Sequence, residues 1–447
     1  MLKKAKQRKV DFSKIVQANK HDLFLLKNLI SIACIFACIV LGYRVSTLFL
    51  LGAVLVIAVS IFFTDVENAF YWSLFLVPNI RMFDGLGISF IVNALMALPL
   101  VVYFIKGGKK SFNELIFISI VVMFAIEFLH ICAYGSYSKI INLVGWILNF
   151  YLCMTISIDK EVKINSNNIF SALSTGAILS AVMYILSGFD SIAHVLGGIM
   201  EGVRFEAFAD DPNAFSIYVC LAFACIINVK KHYIYRFITL IILVFLGFLT
   251  GSKMCVLLIS FILVSYVFIL FFDKDKANKK FALFMLISLA LIGIICKDYV
   301  DLFIGNFLRR LGGANADMNT ITTGRSGLFV DYINIFVDDL SCFFLGKGFQ
   351  YPSHLSQAAS KYSHNTYLDV FLSWGIIGGI AFITVLGFWI YLFKRNRKIK
   401  KLTFSKVLPL IVLLAGFMSL SYFSANVFPL VLAVAFLQWI GNKGKDN

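Results

Sequence analysis

The sequence predicts an all-α fold: a polytopic integral membrane bundle of about 14 transmembrane helices, with one large extracytoplasmic loop that carries short helices. Three observations lead there. Of 447 residues, 60% are hydrophobic and 14% charged, and the mean hydropathy is +0.87. Soluble domains sit nearer half apolar and a quarter charged. Apolar stretches of roughly 17–25 residues recur along nearly the whole chain, and each spans a bilayer core if helical. The stretches are continuously apolar, without period-two alternation, which selects helices over a barrel.

Taken in order, spans are expected at 24–42, 46–63, 66–80, 85–105, 112–131, 139–157 and 169–187. The series continues at 213–229, 234–250, 254–272, 281–297, 366–391, 405–421 and 426–440. The first apolar run begins near Leu23 without a small-residue cleavage site, so it reads as an uncleaved span. The third is short, and Glu67 and Pro78 interrupt it. It is kept because the basic N-terminus and the Lys106–Lys110 loop both belong on the cytoplasmic side, which requires an even number of crossings between them. Both termini are then cytoplasmic.

The net charge of +16 follows the same topology. Basic residues gather in Lys3 to Lys20, Lys106 to Lys110, Lys230 to Arg236, Lys274 to Lys280, Lys394 to Lys401, and Lys443 with Lys445. These segments fall on one side of the spans, as the positive-inside rule requires. The segment from Lys297 to Lys361 instead has six basic and six acidic residues. The basic excess is thereby explained without nucleic acid.

Three regions result: N-terminal helices over 1–297, a large periplasmic or extracellular loop over 298–365, and C-terminal helices over 366–447. A second outer segment runs from Gly188 to Pro212. Within the large loop, residues 327–340 place Phe329, Ile333, Phe336 and Leu340 at helical spacing, which predicts a short helix lying against the membrane or the bundle. Nine cysteines follow no metal spacing and no disulfide framework. No Walker, zinc or dinucleotide motif is present, so neither metal nor cofactor is expected. The adjacent Asp338 and Asp339 do not make the separated carboxylate pair of a glycosidase.

Four polar groups fall on the outer side. Arg204 precedes Asp211-Pro212-Asn213, a turn that opens the next helix with Pro near its first position. Arg204 is either an anion ligand or a snorkelling, lipid-facing arginine. Lys253, in an almost loop-free connection, sits near a helix N-terminus, where backbone N–H groups and an ammonium suit a phosphate; marking the membrane boundary is the alternative. Arg325 precedes the loop helix and offers a planar fork to phosphate oxygens. His364, with Asn365 and Tyr367, stands where the loop returns to hydrocarbon, and its imidazole is able to accept a proton near neutral pH. Asp369, one turn further on, is placed to orient that motif. Glu127 and His130, one turn apart inside a span, read as a mutually bonded structural pair.

In this order, the segments resemble the superfamily of O-antigen ligases and O-antigen polymerases (Wzy-type). The resemblance rests on Arg204 with Pro212-Asn213, Ser252-Lys253, Gly324-Arg325, Gly346-Lys347-Gly348, His364-Asn365, and Trp374-Gly375-Ile376-Ile377-Gly378. It covers about residues 200–380; the first half matches only as a run of spans. It implies metal-independent, inverting glycosyl transfer from an undecaprenyl-diphosphate-linked oligosaccharide, on the outer face of a bacterial cytoplasmic (inner) membrane. Arg325 and Arg204 or Lys253 would hold the diphosphate, His364 would take the acceptor proton, and Asn365 would position His364 or the acceptor. Asn213 and Tyr367 join the expected substrate-binding set. Lys253 departs from the family's usual Arg and lacks its fork. The expected activity is polymerisation of repeat units, with the ligase as the alternative and a flippase for the same lipid as a rival from another class. Membrane lipid, a chain-length regulator and a flippase are the partners so implied.

Overall fold

The computed structural model describes residues 23–88, 90–106, 114–191, 194, 204–209, 211–229, 232–272, 276–295, 297, 301, 305, 325–355, 362–399 and 402–440. Among these, no strand occurs. The first expected span is filled by α1 (Phe24–Lys27) and α2 (Leu29–Arg44), and the next three by α3 (Leu48–Phe62), α4 (Val66–Leu76) and α5 (Ile91–Ile105). Then come α6 (Glu114–Tyr134), α7 (Ile140–Ile158), α8 (Ser166–Leu186) and α9 (Pro212–Cys225), followed by α10 (Tyr233–Leu249), α11 (Lys253–Phe272) and α12 (Lys276–Ile295). The loop region contributes α13 (Arg325–Asp338), α14 (Leu340–Leu345) and α15 (Tyr351–His354). The chain closes with α16 (Thr366–Asn396), α17 (Phe404–Phe417) and α18 (Phe428–Leu437).

This is a helical membrane protein. Among the described residues, four helices (α6, α7, α8 and α16) are long and apolar enough to cross a membrane by length and composition, and eight others are shorter but apolar. Large apolar side chains such as Ile30, Leu48 and Leu129 are exposed on the outside of the bundle, where hydrocarbon tolerates what water would not. Two of the helices that each fill an expected span by themselves are shorter than the rest. α4 has 11 residues and α18 has 10, about 16 Å of rise against a core of ~30 Å. Both are buried along nearly their whole length and touch each other inside the bundle. Protein, rather than lipid, surrounds their ends, so the irregular backbone that extends them is tolerated.

The links between helices sort into two rims. On the first, Lys27 pairs with Asp65 at 2.6 Å, Lys106 Nζ bonds Thr64 O, and Lys163 N donates to Glu67 Oε1. Arg397 donates to the carbonyls of Ile156, Ser157 and Val162, and Asn228 to Ser405 O. On the opposite rim, Arg44 Nε donates to Leu186 O, Arg81 N to Phe208 O, and Phe205 N to Leu249 O. Ser136 Oγ meets His354 Nε2 there, and Arg325 reaches Ser419. Successive described links alternate between the rims, and all the candidate residues lie on the second, the site rim. Most of the expected basic clusters, including Lys3 to Lys20, Lys109, Lys110, Lys230, Lys274, Lys443 and Lys445, lie outside the described residues, as does the boundary at 298.

Three expectations need correction. Helix α17 ends at Phe417, not at 421, and residues 418–427 form an irregular loop; likewise the stretch from 85 to 90 lies ahead of α5. Met418 and Leu420 in the one, and Leu86, Ile88 and Phe90 in the other, keep the hydropathy high, so hydropathy alone overran the helices. In α13 the packed side is Leu328, Tyr332, Ile335 and Phe336, while Phe329, Ile333 and Leu340 are exposed. Leu340 belongs to α14, because Asp339 caps a new helix through Ser341 N and Cys342 N. Glu127 does not bond His130. Its Oε1 accepts from Phe349 N and its Oε2 from Trp374 Nε1, while His130 Nδ1 bonds Ile126 O.

Helix α16 is broken at Gly375, which has φ +62° and ψ −172°. The break frees the carbonyls of Leu372 and Ser373, and Lys347 N and Gly348 N donate to them at 2.9 and 2.7 Å. A Cβ on Gly346 would fall 2.3 Å from Ser373 O, and one on Gly375 2.3 Å from Phe344 C. Only glycine allows two backbones to cross this closely. The two glycine motifs are thus halves of one interlock.

Candidate functional site

The site rim presents two half-sites. The first is built on the turn before α9. Asp211 is the N-cap, accepting from Asn213 N at 2.7 Å and Ala214 N at 3.1 Å, with Pro212 at the first helical position. This turn buries Asn213, whose Oδ1 accepts from Arg204 Nη2 at 2.6 Å and Ser252 Oγ at 3.3 Å. Arg204 Nε donates to Thr250 O at 3.1 Å. The guanidinium is therefore fastened on two sides and half-buried, not snorkelling into lipid. Asn213 Oδ1 is thereby committed to Arg204 and Ser252. Lys253 is the first residue of α11, half-buried, beside Ser252.

The second half-site is built on the start of α16. Asn365 is the N-cap, its Oδ1 accepting from Tyr367 N and Leu368 N at 3.0 and 3.2 Å. His364, just before it, has φ +53°, a left-handed conformation that costs a non-glycine residue about 1–2 kcal/mol. Three consecutive backbone N–H groups hold this turn. Ser363 N donates to Tyr351 OH at 2.8 Å, His364 N to Ser421 Oγ at 2.8 Å, and Asn365 N to Ser363 Oγ at 3.1 Å. Each of those hydroxyls in turn donates to Asp369 Oδ1: Tyr351 at 2.6 Å, Ser363 at 2.7 Å and Ser421 at 3.1 Å. One buried carboxylate oxygen thus organises the backbone under His364. Burial, and then the Asp369 carboxylate beside it, pushes the Tyr351 hydroxyl far above its ordinary value, so it stays a donor.

The halves meet through the 418–427 loop. Arg325 Nη1 donates to Ser419 O at 2.7 Å, two residues from the serine that holds His364. Burial lowers the Arg325 pKa from its ordinary value, and the opposing influence comes from Asp211, the cap of the first half-site. Tyr218 of α9 bonds Tyr422 through their hydroxyls. Below this, Trp146 Nε1 donates to Phe423 O at 2.9 Å, and Trp374 packs on Phe423 with ring centroids 4.8 Å apart. The turns that carry Arg204, Asn213 and Lys253 and those that carry Arg325, His364 and Asn365 therefore lie on one rim, tied through the Tyr218–Tyr422 bond and the 418–427 loop.

Tyr367 does not join them. It is exposed, and its hydroxyl donates to Leu414 O at 2.7 Å on α17, so it fastens α16 to its neighbour. Gly324 lies outside the described residues. The expected spans leave only residues 422–425 between them, although Ser419, Ser421 and Asn426, which they take in, form one dense polar cluster with Tyr422 and Ser424. Among the described residues, no group of His, Cys, Asp and Glu side chains is arranged to hold a metal ion. No family model, no curated protein and no solved structure matches the chain.

Proposed function

We propose that the protein is a membrane-embedded glycosyltransferase that polymerises oligosaccharide repeat units carried on undecaprenyl diphosphate, at the outer face of a bacterial cytoplasmic membrane. One observation carries this reading: Arg325 and His364 are anchored on the same short loop, and Tyr218 of the helix that follows the Arg204–Asn213 half-site bonds Tyr422 of that loop. A donor diphosphate lies against Arg325 and Arg204, with Lys253 adding a point charge. His364 takes the proton of the acceptor hydroxyl as its oxygen bonds to C1 of the donor sugar. The bond from C1 to the diphosphate oxygen breaks, and the anomeric centre inverts. Charge that develops on the departing diphosphate meets cations already held in place, which is where preorganised electrostatics stabilises most. Asn365 and Asp369 fix the turn that aims the imidazole. The positive-inside rule supports the sidedness of this reading: Lys27, Lys106, Lys163 and Arg397 are on the first rim, which favours the cytoplasm for it and the outer face for the site. Fourteen crossings then leave both ends of the chain inside.

The test uses full-length protein reconstituted with a defined undecaprenyl-diphosphate-linked repeat unit. Wild-type protein is expected to yield a ladder of polymers. His364→Ala is expected to lower chain extension by about 10²–10⁴-fold, the range for losing a general base, while the protein still inserts and purifies as a single species. Normal ladders from His364→Ala remove the imidazole from the mechanism. In a deletion strain, single-repeat products mark a polymerase, and long polymer stranded on the carrier lipid marks a ligase.

A further inference from the structure

Away from His364, four segments of the site rim bring aromatic rings together with charged groups of both signs. Phe189, just past α8, sits among Tyr43, Tyr184 and Phe208, with ring centroids at 4.7, 5.0 and 5.5 Å. Despite three aromatic neighbours, it remains 48% exposed. Arg81 Nε pairs with Asp84 at 2.6 Å, and Arg81 Nη1 lies 3.9 Å from Glu206. These charges are carried on turns that touch the rings: Gly85 N, next to Asp84, donates to Tyr43 Oη at 3.2 Å, and Phe205 and Phe208, on either side of Glu206, pack on Tyr184 with ring centroids at 5.8 and 5.3 Å. The scaffold is rigid, since Tyr43 OH donates to Met82 O and Arg44 Nε to Leu186 O.

We infer that Tyr43, Tyr184 and Phe189, edged by Arg81, Asp84 and Glu206, form a saccharide-binding platform distinct from the reacting centre. A sugar ring offers an apolar C–H face and a girdle of hydroxyls that both donate and accept. Flat aromatic rings match the first, and neighbouring carboxylates and guanidinium match the second. An anionic lipid headgroup would call for cations alone, and lipid chains would exclude the ion pairs. Because the rings already hold one another, little conformational entropy is lost on binding. The platform continues directly into the first half-site, as Glu206 is two residues from Arg204 and Phe205 packs against Tyr184 at 5.8 Å. Its occupant is the glycan of the acceptor, held while its terminal hydroxyl reaches His364. That assignment rests on the glycosyltransferase reading; saccharide binding itself does not.

The experiment measures binding of the lipid-free oligosaccharide, released by mild acid from the lipid-linked repeat unit, to full-length protein in nanodiscs. Wild-type protein is expected to bind it, Phe189→Ala to weaken binding at least tenfold, and Phe189→Trp to stay within about threefold of wild type. Asp84→Asn, on an exposed pair, is expected to weaken it about threefold to tenfold. Phe63→Ala, at an exposed phenylalanine on the other rim, leaves it unchanged. No binding by wild type, or unchanged binding in both Phe189→Ala and Asp84→Asn, overturns the platform. So does a Phe189→Ala protein whose only change is weaker retention in lipid. If His364→Ala and Arg325→Ala polymerise normally while Phe189→Ala loses the saccharide, the catalytic reading fails and the platform stands.

Discussion

Arg204 and Arg325 are both half-buried arginines on the same rim, yet they are held in opposite ways. Arg204 bonds Asn213, 9 residues on, and Thr250, 46 residues on, within one cluster of connected turns. Arg325 reaches 94 residues, to a backbone carbonyl in the 418–427 loop. The first is fixed by a motif, the second by the fold. A local cradle survives rearrangement elsewhere. A cation anchored across the chain depends on every element that places its distant acceptor.

That contrast makes graded demands. Asp369→Leu should have the largest effect, since it leaves three hydroxyl donors in a buried cluster without their acceptor, at about 3 kcal/mol or more. Thermal unfolding in detergent is expected to fall sharply, and chain extension to be lost. Asp369→Asn keeps an acceptor oxygen and should retain folding with reduced activity; equal damage from both variants would mean that charge, not geometry, is the requirement. Arg325→Ala is expected to reduce donor use about 100-fold, in the range for removing one oxyanion-stabilising group, and Arg325→Lys to recover part of it. Equal losses would argue against a two-pronged grip on the diphosphate.

For the local cradle, a double-mutant cycle is the sharper tool. Asn213→Ala should weaken donor use about fivefold in wild type and hardly at all once Arg204→Ala is present, a coupling of about 1 kcal/mol. Additive losses would show Asn213 contacting substrate on its own account. The smallest effect belongs to Tyr367→Phe, which removes one hydroxyl bond to Leu414 O. Stability should change by about 1 kcal/mol or less, and the KM for the lipid-linked donor should stay within twofold. A larger shift in KM would return Tyr367 to the site.

The same contrast decides what could be read from the chain alone. Helices were legible because long apolar runs leave a membrane chain few other choices. The Asp211-Pro212-Asn213 opening of α9 and the start of α16 at 366 were legible because a helix start is a matter of a few neighbouring residues. What stayed hidden depends on partners far along the chain. Nothing near Asp369 announces that Tyr351, Ser363 and Ser421 converge on one of its oxygens. Met418 and Leu420 keep the hydropathy high, so the sequence predicts only 422–425 between two spans where the loop that joins both half-sites runs from 418 to 427. Glu127 was paired with His130 by proximity on a helix, whereas its true partners arrive from 222 and 247 residues away.

The crossing at Gly346, Gly348 and Gly375 limits how such a protein is able to open. Residues 347 and 348 complete the hydrogen-bond ladder of a membrane helix from outside it, and Glu127 pins both strands of the crossing through Phe349 and Trp374. Lifting this stretch would strand two carbonyls in apolar surroundings, at several kcal/mol. It behaves as a welded seam rather than a door. If the proposed polymerisation holds, a growing glycan passes to one side of it, and any segment that flexes has to be sought elsewhere on the rim.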